Sequence, residues 1–255
     1  MELFVTESGS FGAPMILFLH GSPLSSRMWQ PQLEAMRDFH CVAPDLPGHG
    51  QSAMINQFNL GQIVETLVNL IRQTSPHGKT HLVGLSFGGV VAQALMTAAP
   101  ELMDRVVLSG TSDRMNKLLI LSQALNIPLL HLLKPEHLAS LIASQFGIPP
   151  EYKKSLIDDI KQFSSDSFMQ VMWTYGEIVM PVNSPSPTLV AVGEKETFFA
   201  KAAARSLCRG IPNAQGVMVP QAGHVWNLQM PELFNQVIRA WLTDQPLPSE
   251  LSPLD

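Results

Sequence analysis

Residues 84–88, with the sequence GLSFG, constrain the fold of this chain more than any other segment. An apolar run that ends at Val83 precedes them, and a helical pattern begins at Gly89. A chain that turns this tightly from a strand into a helix has no room for side chains two residues on either side of the serine. The segment therefore predicts a strained turn that lifts the Ser86 hydroxyl off a sheet, beside backbone N–H groups and a helix N-terminus.

Short apolar runs alternate with helical patterns along most of the chain. Residues 15–19, 105–109 and 188–192 have the length of strands, whereas residues 60–72 and 231–242 have the spacing of amphipathic helices. Strands that are apolar on both faces are typical of a parallel sheet covered by helices on both sides. We therefore expect an α/β fold with a mostly parallel central sheet and with functional residues at the carboxyl ends of its strands.

The mid-chain segment 112–187 interrupts this alternation. It is helical in pattern and rich in Leu, Ile and Met, and it ends in a Pro- and Ser-rich run at residues 180–187. We interpret 112–187 as a helical cap that is inserted between the two parts of a core domain, residues 1–111 and 188–244. Residues 245–255 are again rich in Pro and Ser and predict a poorly ordered tail.

Apolar side chains are concentrated in the first part of the predicted cap. They could form the wall of a pocket, pack against one another between helices, or contact a second copy of the chain in a homodimer. They are Leu118, Leu119, Ile120, Leu121, Leu125, Leu129, Leu130, Leu132 and Leu133. Trp173 and Trp226 are further candidates for lining such a pocket.

Charge, cysteine content and the lengths of the apolar runs argue against several classes of protein. The net charge of −5 argues against nucleic acid as a partner, because binding it requires clustered Lys and Arg. Cys41 and Cys208 lie far apart in the sequence, so a disulfide framework is not expected. The chain shows no apolar leader and no run of about 18 apolar residues, which predicts a cytoplasmic protein without a membrane span.

A serine hydroxyl is a poor nucleophile unless a neighbouring base takes its proton. The chain has eight histidines, so position has to distinguish them. His224 directly follows the last predicted strand, and it therefore lies at the same edge of the sheet as Ser86. His20 and His49 occupy turns, and we expect structural roles for them.

An imidazole base in turn needs a carboxylate that fixes its tautomer and stabilises its cation. Glu196, in the turn after the strand that ends at Val192, is the first candidate. Asp113, shortly after the strand that ends at Ser109, is the alternative.

The negative charge that develops on a carbonyl oxygen during acyl transfer needs two backbone donors. The N–H of Phe87, the residue after the serine, is one candidate. The other is the N–H of Ser22, in the loop that follows the first apolar run, since Pro23 has no N–H.

These segments together resemble the α/β-hydrolase superfamily: HGSP at 20–23, DLPGHGQS at 45–52, the serine turn, a mid-chain insertion and a late Gly-His pair. The resemblance covers nearly the whole chain outside the cap and the tail. It implies a triad in the chain order serine, acid, histidine. The family usually has Asp where this chain has Glu196; either the longer Glu serves, or the acid is Asp113, as in some relatives.

The resemblance also implies a reaction. A serine triad on this fold is expected to transfer an acyl group to water through an acyl-enzyme, and it needs neither a metal ion nor a cofactor. The resemblance does not specify the substrate, and we expect small- to medium-sized carboxylic esters. Similar proteins cleave C–C bonds, catalyse eliminations or act as receptors for small apolar ligands with little turnover. Serine at position 86 argues against haloalkane dehalogenases and epoxide hydrolases, which carry Asp there.

Overall fold

The central strands are buried on both faces. Every side chain of Met15–Leu19 is buried, and alternate residues enter two separate hydrophobic clusters, one containing Leu17 and the other Phe18. Neighbouring side chains of a strand point to opposite faces, so each face needs its own layer of helices. The expected α/β fold, with helices on both sides of a mostly parallel sheet, is confirmed.

The structure is a computed structural model that describes residues 1–113, 115, 120, 121 and 133–254. Within these residues one sheet has the spatial order β1-β3-β2-β4-β5-β6-β7-β8. Its strands are β1 (Val5–Ser8), β2 (Met15–Leu19), β3 (His40–Pro44), β4 (Thr80–Leu85), β5 (Met103–Ser109), β6 (Thr188–Gly193), β7 (Ala214–Val219) and β8 (Ser252–Pro253). β1 and β8 pair antiparallel at the two edges, and all other pairs are parallel.

The α-helices of the described residues fall into two layers and a mid-chain group. They are α1 (Gln30–Ala35), α2 (Leu60–Thr74), α3 (Phe87–Ala98), α4 (Pro135–Phe146), α5 (Lys153–Gln162), α6 (Ser165–Glu177), α7 (Phe198–Gly210), α8 (Trp226–Gln229) and α9 (Pro231–Leu242). Buried residues of α2, α3 and α7 share the cluster of Leu17, and those of α1, α8 and α9 share that of Phe18.

Side chains next to the helices define where several of them begin. Asn59 accepts a hydrogen bond from the Gln62 N–H (2.9 Å), and the Gln62 side chain accepts one from the Asn59 N–H (3.1 Å), so α2 starts with a capping box. Thr197 caps α7 by accepting from the Ala200 N–H. The Thr197 cap fixes the chain directly after the turn that contains Glu196.

The mid-chain segment contains α4, α5 and α6 in its described part. Six of the apolar residues predicted to form a wall or a contact lie outside the described residues: Leu118, Leu119, Leu125, Leu129, Leu130 and Leu132. Of the remaining three, Ile120 is buried near Gly176, Leu121 is 50% exposed and Leu133 is partly buried.

The C-terminal residues correct the prediction of a poorly ordered tail. Ser252 and Pro253 form β8 and pair with Met218 and Val217 at the edge of the sheet. The Leu254 N–H adds a hydrogen bond to the carbonyl of Gly216 (3.1 Å). Pro is tolerated here because an edge strand does not need every N–H for pairing.

The described residues show no helix that is both long and apolar enough to cross a bilayer. Both cysteines are free thiols, Cys41 buried and Cys208 partly buried. Burial raises the pKa of the Cys41 thiol to about 12, so this side chain acts as a small apolar group.

Phe234 on α9 belongs to a buried aromatic cluster. Its ring centroid lies 4.5 Å from that of Trp226 and 5.8 Å from that of Trp29, and all three side chains are fully buried. We expect Phe234→Ala to lower the free energy of unfolding by about 3–5 kcal/mol, as for other buried aromatic residues. Urea unfolding measures this loss. Phe199→Ala, at an 81% exposed position, is the control and should change little; equal losses for both would contradict the assignment of Phe234 to the core.

Asp159 on α5 is a carboxyl group buried against the loop that follows β2. Its Oδ2 accepts a hydrogen bond from the Ser25 hydroxyl (2.9 Å), and its Oδ1 lies 3.5 Å from the guanidinium of Arg27. Burial raises the pKa of Asp159 from 3.8 to about 6, although Arg27 and Ser25 oppose the shift. The folded state therefore binds this proton more tightly than the unfolded state. Its stabilising contribution is complete below about pH 4 and is lost as the pH rises through about 6.

We expect Asp159→Asn to remove this pH dependence, because the amide keeps an acceptor for Ser25 but does not ionise. Relative to the variant, the wild type should lose on the order of 1–3 kcal/mol of unfolding free energy between about pH 4 and about pH 7. Urea unfolding at both pH values measures the difference. Asp158→Asn, at the more exposed neighbouring carboxylate, is the control. A wild-type-to-variant difference that is the same at both pH values would refute the assignment.

Candidate active site

Ser86 occupies a strained turn between β4 and α3. Its backbone has φ 55° and ψ −117°, a positive-φ conformation that few residues other than glycine adopt. A Cβ on Gly84 would lie 2.6 Å from the carbonyl oxygen of Gly88, and one on Gly88 would lie 2.0 Å from that of Leu19. Both glycines of the motif are thus required by close backbone contacts.

The end of β5 holds this turn in place. The Ser86 N–H donates to the carbonyl of Ser109 (2.9 Å), and the Thr111 hydroxyl donates to the carbonyl of Ser86 (2.8 Å). The same Ser86 carbonyl accepts from the N–H groups of Gly89 and Val90 in the first turn of α3. These bonds offset the backbone strain at Ser86, which would otherwise relax.

His224 and Glu196 form a close pair at the same edge of the sheet. The distance from His224 Nδ1 to Glu196 Oε2 is 2.8 Å, and the two side chains are 18% and 5% exposed. A carboxylate only accepts, so Nδ1 carries a proton, and in the neutral imidazole Nε2 then keeps its lone pair. A Cβ on Gly110 would lie about 3 Å from both His224 and Glu196. Ser86 and this pair therefore contact consecutive residues of the chain, Ser109 and Gly110.

Asp113, the alternative acid, lies elsewhere. It lines a pocket with Gln93, Ile178, Val179 and Met180. Glu196 reaches the imidazole because its N–H closes a turn onto the carbonyl of Gly193 (3.1 Å), which directs the chain back towards the end of β7. The structure thus brings Glu196, and not Asp113, to His224.

The loop after β2 lies against the serine. A Cβ on Gly21 would be 3.1 Å from Ser86 Cβ, and Phe87, fully buried, begins α3 on the other side. The N–H groups of Ser22 and Phe87, which the sequence assigns to the stabilisation of negative charge, thus belong to segments that flank Ser86. Their role as donors stays a prediction.

His20 and His49 hold this loop as neutral imidazoles. His20 Nε2 accepts from the Leu46 N–H (2.9 Å), so its Nδ1 donates to the carbonyl of Gly21. His49 Nδ1 donates to the carbonyl of Pro47 (2.9 Å), so its Nε2 accepts from the Ser22 hydroxyl (3.0 Å). Burial lowers the pKa of His20 and lowers that of His49 to about 3.

The two tryptophans occupy different environments. Trp226 is fully buried and donates its indole N–H to the Ser109 hydroxyl (2.8 Å). The prediction that Trp226 lines a pocket is therefore wrong, because a side chain with no accessible surface cannot line one. Trp226 instead packs behind the site and holds the Ser109 side chain. Trp173 is 38% exposed on α6, and its contribution to a pocket stays a prediction.

Sequence reasoning missed three aromatic residues of the mid-chain segment that pack against residues of this site. The Phe146 ring lies 4.8 Å from the His224 ring, and the Phe163 ring lies 4.7 Å from that of His49. Tyr175 is buried, and its ring centroid lies 6.5 Å from that of Phe87, the residue after Ser86. Burial raises the pKa of the Tyr175 phenol to about 12, so it remains protonated. Single aromatic residues in a helical pattern carry no motif that would have indicated these contacts.

Among the residues that the structure describes, no group of three or more His, Cys, Asp and Glu side chains has an arrangement that could hold a metal ion. The chemistry available at the site is that of a hydroxyl, an imidazole, a carboxylate and a phenol.

We expect Gly84→Ala to destabilise the protein, because its Cβ would meet the backbone of Gly88 and not a flexible side chain. The free energy of unfolding should fall by about 1–3 kcal/mol, as for other overpacked positions. Urea unfolding measures the change. Gly12→Ala is the matched control, since a Cβ there has no atom within 4 Å. A Gly84→Ala variant as stable as the control would show that the turn is not tightly packed.

Comparison with known proteins agrees with this geometry. The family model described as "Alpha/beta hydrolase family" matches residues 16–237. The chain is 25% identical over 249 residues to (E)-2-((N-methylformamido)methylene)succinate hydrolase of Acinetobacter baylyi, and the match covers 92% of each chain.

Solved structures with a similar fold include an esterase and an enol-lactonase. A thermophilic esterase from Thermogutta terrifontis, with malate bound, has a TM-score of 0.79 and 25% identity over 95% of this chain and 93% of its own. An enol-lactonase from Burkholderia xenovorans has a TM-score of 0.80 and 21% identity over 94% of this chain and 96% of its own. The family model, the relative and the shared fold lead to one conclusion: the chain belongs to the alpha/beta hydrolase family.

Proposed function

We propose that this protein is a serine hydrolase that cleaves small- to medium-sized carboxylic esters through an acyl-enzyme. The observation that carries the proposal is the His224–Glu196 pair, which contacts Gly110 next to the Ser109 that fixes the turn of Ser86. An imidazole with its Nδ1 proton held by a carboxylate is the base that a serine nucleophile needs. The esterase from Thermogutta terrifontis, similar to this chain in fold and sequence, supports ester cleavage.

In the proposed reaction, Ser86 Oγ attacks the ester carbonyl carbon and His224 Nε2 takes the hydroxyl proton. The N–H groups of Phe87 and Ser22 stabilise the negative charge on the carbonyl oxygen. The bond from carbon to the alcohol oxygen then breaks, and His224 gives its proton to that oxygen. Water, deprotonated by His224, attacks the acyl-enzyme, and the acid leaves as Ser86 recovers its proton.

We propose that the segment 112–187 acts as a cap over this reaction. Phe146 from α4, Phe163 after α5 and Tyr175 from α6 contact His224, His49 and Phe87 respectively. Asp159 on α5 is hydrogen-bonded to Ser25, in the loop that follows β2. These aromatic contacts favour an apolar, uncharged substrate, since burying an unpaired charge among them is costly.

Hydrolysis of p-nitrophenyl esters, from the acetate to the decanoate, tests the proposal. We expect turnover by the wild type, and we expect Ser86→Ala to abolish it. Glu196→Gln should lower kcat on the order of 10⁴-fold, because the amide no longer stabilises the imidazolium. Asp113→Asn is the matched acid-to-amide control and should leave turnover unchanged.

Two results would contradict the assignments separately. No turnover of any ester above the Ser86→Ala background would refute ester hydrolysis and favour C–C bond cleavage, an elimination or ligand binding. Turnover that Asp113→Asn reduces more than Glu196→Gln would refute Glu196 as the acid. The preferred acyl length would in addition measure the size of the acyl pocket.

A further inference from the structure

Gln229 ties the end of α4 to the segment that carries His224. Its Oε1 accepts a hydrogen bond from the Gly223 N–H (2.8 Å), and its Nε2 donates to the carbonyls of Phe146 (3.1 Å) and Gly147 (2.7 Å). A side-chain amide has two N–H donors, and here both are used on the same helix end. The position of Phe146 is thus coupled to the chain directly before the histidine.

The sequence at the end of α4 permits this contact. Gly147 ends the helix in a left-handed conformation with φ 69°, and a Cβ there would lie 1.8 Å from Gln229 Nε2. The last carbonyls of a helix have no partner within the helix and can accept from an outside donor. The Gln229 amide supplies that donor. The glycine and the glutamine therefore act together to bring Phe146 against the site.

Phe146 lies on the imidazole of His224, with ring centroids 4.8 Å apart and ring planes at 35°. Its side chain is only partly buried, so it presents apolar surface beside the imidazole. In the proposed reaction the imidazolium gives its proton to the oxygen of the departing alcohol. Proton transfer requires this oxygen to lie about 3 Å from Nε2. The group attached to that oxygen is therefore placed next to the Phe146 ring.

We propose that Phe146, positioned by Gln229, determines leaving-group specificity and makes the enzyme prefer esters of aromatic alcohols. This inference rests on the proposed ester hydrolysis. An aromatic group beside a fixed aromatic ring gains offset or edge-to-face contacts that a saturated ring of equal size does not make. The gain corresponds to about a 3- to 10-fold change in rate or affinity.

Benzyl acetate and cyclohexylmethyl acetate provide the test. The two esters have the same acyl group, leaving alcohols with equal numbers of carbon atoms, and a methylene next to the oxygen in both. They therefore differ in the aromatic character of the ring and hardly in leaving-group chemistry. For the wild type we expect kcat/KM to favour benzyl acetate about 3- to 10-fold.

Variants test whether Phe146 and Gln229 cause this preference for benzyl acetate. Phe146→Leu should bring it close to one, whereas Phe146→Tyr keeps an aromatic ring and should retain it. Gln229→Glu keeps the acceptor for Gly223 but loses both N–H donors, so the ratio should fall although Phe146 is unchanged. Phe199→Leu, at an exposed aromatic position on α7, is the control and should not alter the ratio.

The outcomes separate this inference from the proposed function. Turnover of both esters with no aromatic preference, or a preference that survives in Phe146→Leu, overturns the role of Phe146 and leaves ester hydrolysis intact. A ratio unchanged in Gln229→Glu overturns the positioning role of Gln229. Turnover of neither ester above the Ser86→Ala background overturns ester hydrolysis and this inference together.

Discussion

The close contact between the serine turn and the end of β2 is the constraint on which the site depends. Gly88 packs so tightly under the carbonyl of Leu19 that no side chain fits between them. This contact fixes where α3 leaves the sheet and where the loop containing Gly21 and Ser22 passes. The buried, neutral imidazoles of His20 and His49 then hold that loop by hydrogen bonds in which each ring nitrogen has one defined role.

The elements that could be predicted from the sequence are those that are specified by the residues of the same segment. The central strands could be predicted because both of their faces are apolar. Ser86, Glu196 and His224 come after β4, β6 and β7, which led us to expect them at one edge of the sheet; their catalytic roles stay predictions. β1 and β8 escaped prediction for the opposite reason. Both are short edge strands with partly exposed residues. They pair with β3 and β7, and their own sequences lack the apolar pattern that would predict a strand.

Contacts that depend on how helices dock could not be predicted. Trp226 has the same chemical character in a pocket and in a core, and only its hydrogen bond to Ser109 and its packing on Phe234 decide between them. The choice between Glu196 and Asp113 likewise depended on the turn after β6. Phe146, Phe163 and Tyr175 lie on or directly after helices of the inserted segment, where an aromatic side chain has no fixed relation to the residues of the core.

Three consecutive residues at the end of β5 contact all three members of the candidate triad. Ser109 holds the Ser86 N–H, Gly110 leaves room for His224 and Glu196, and Thr111 holds the Ser86 carbonyl. Side chains on a strand alternate between faces, so a slip of β5 by one residue would disturb every one of these contacts together. The geometry of the candidate triad therefore depends as a whole on the register of one central strand, and no part of it is independent of that strand.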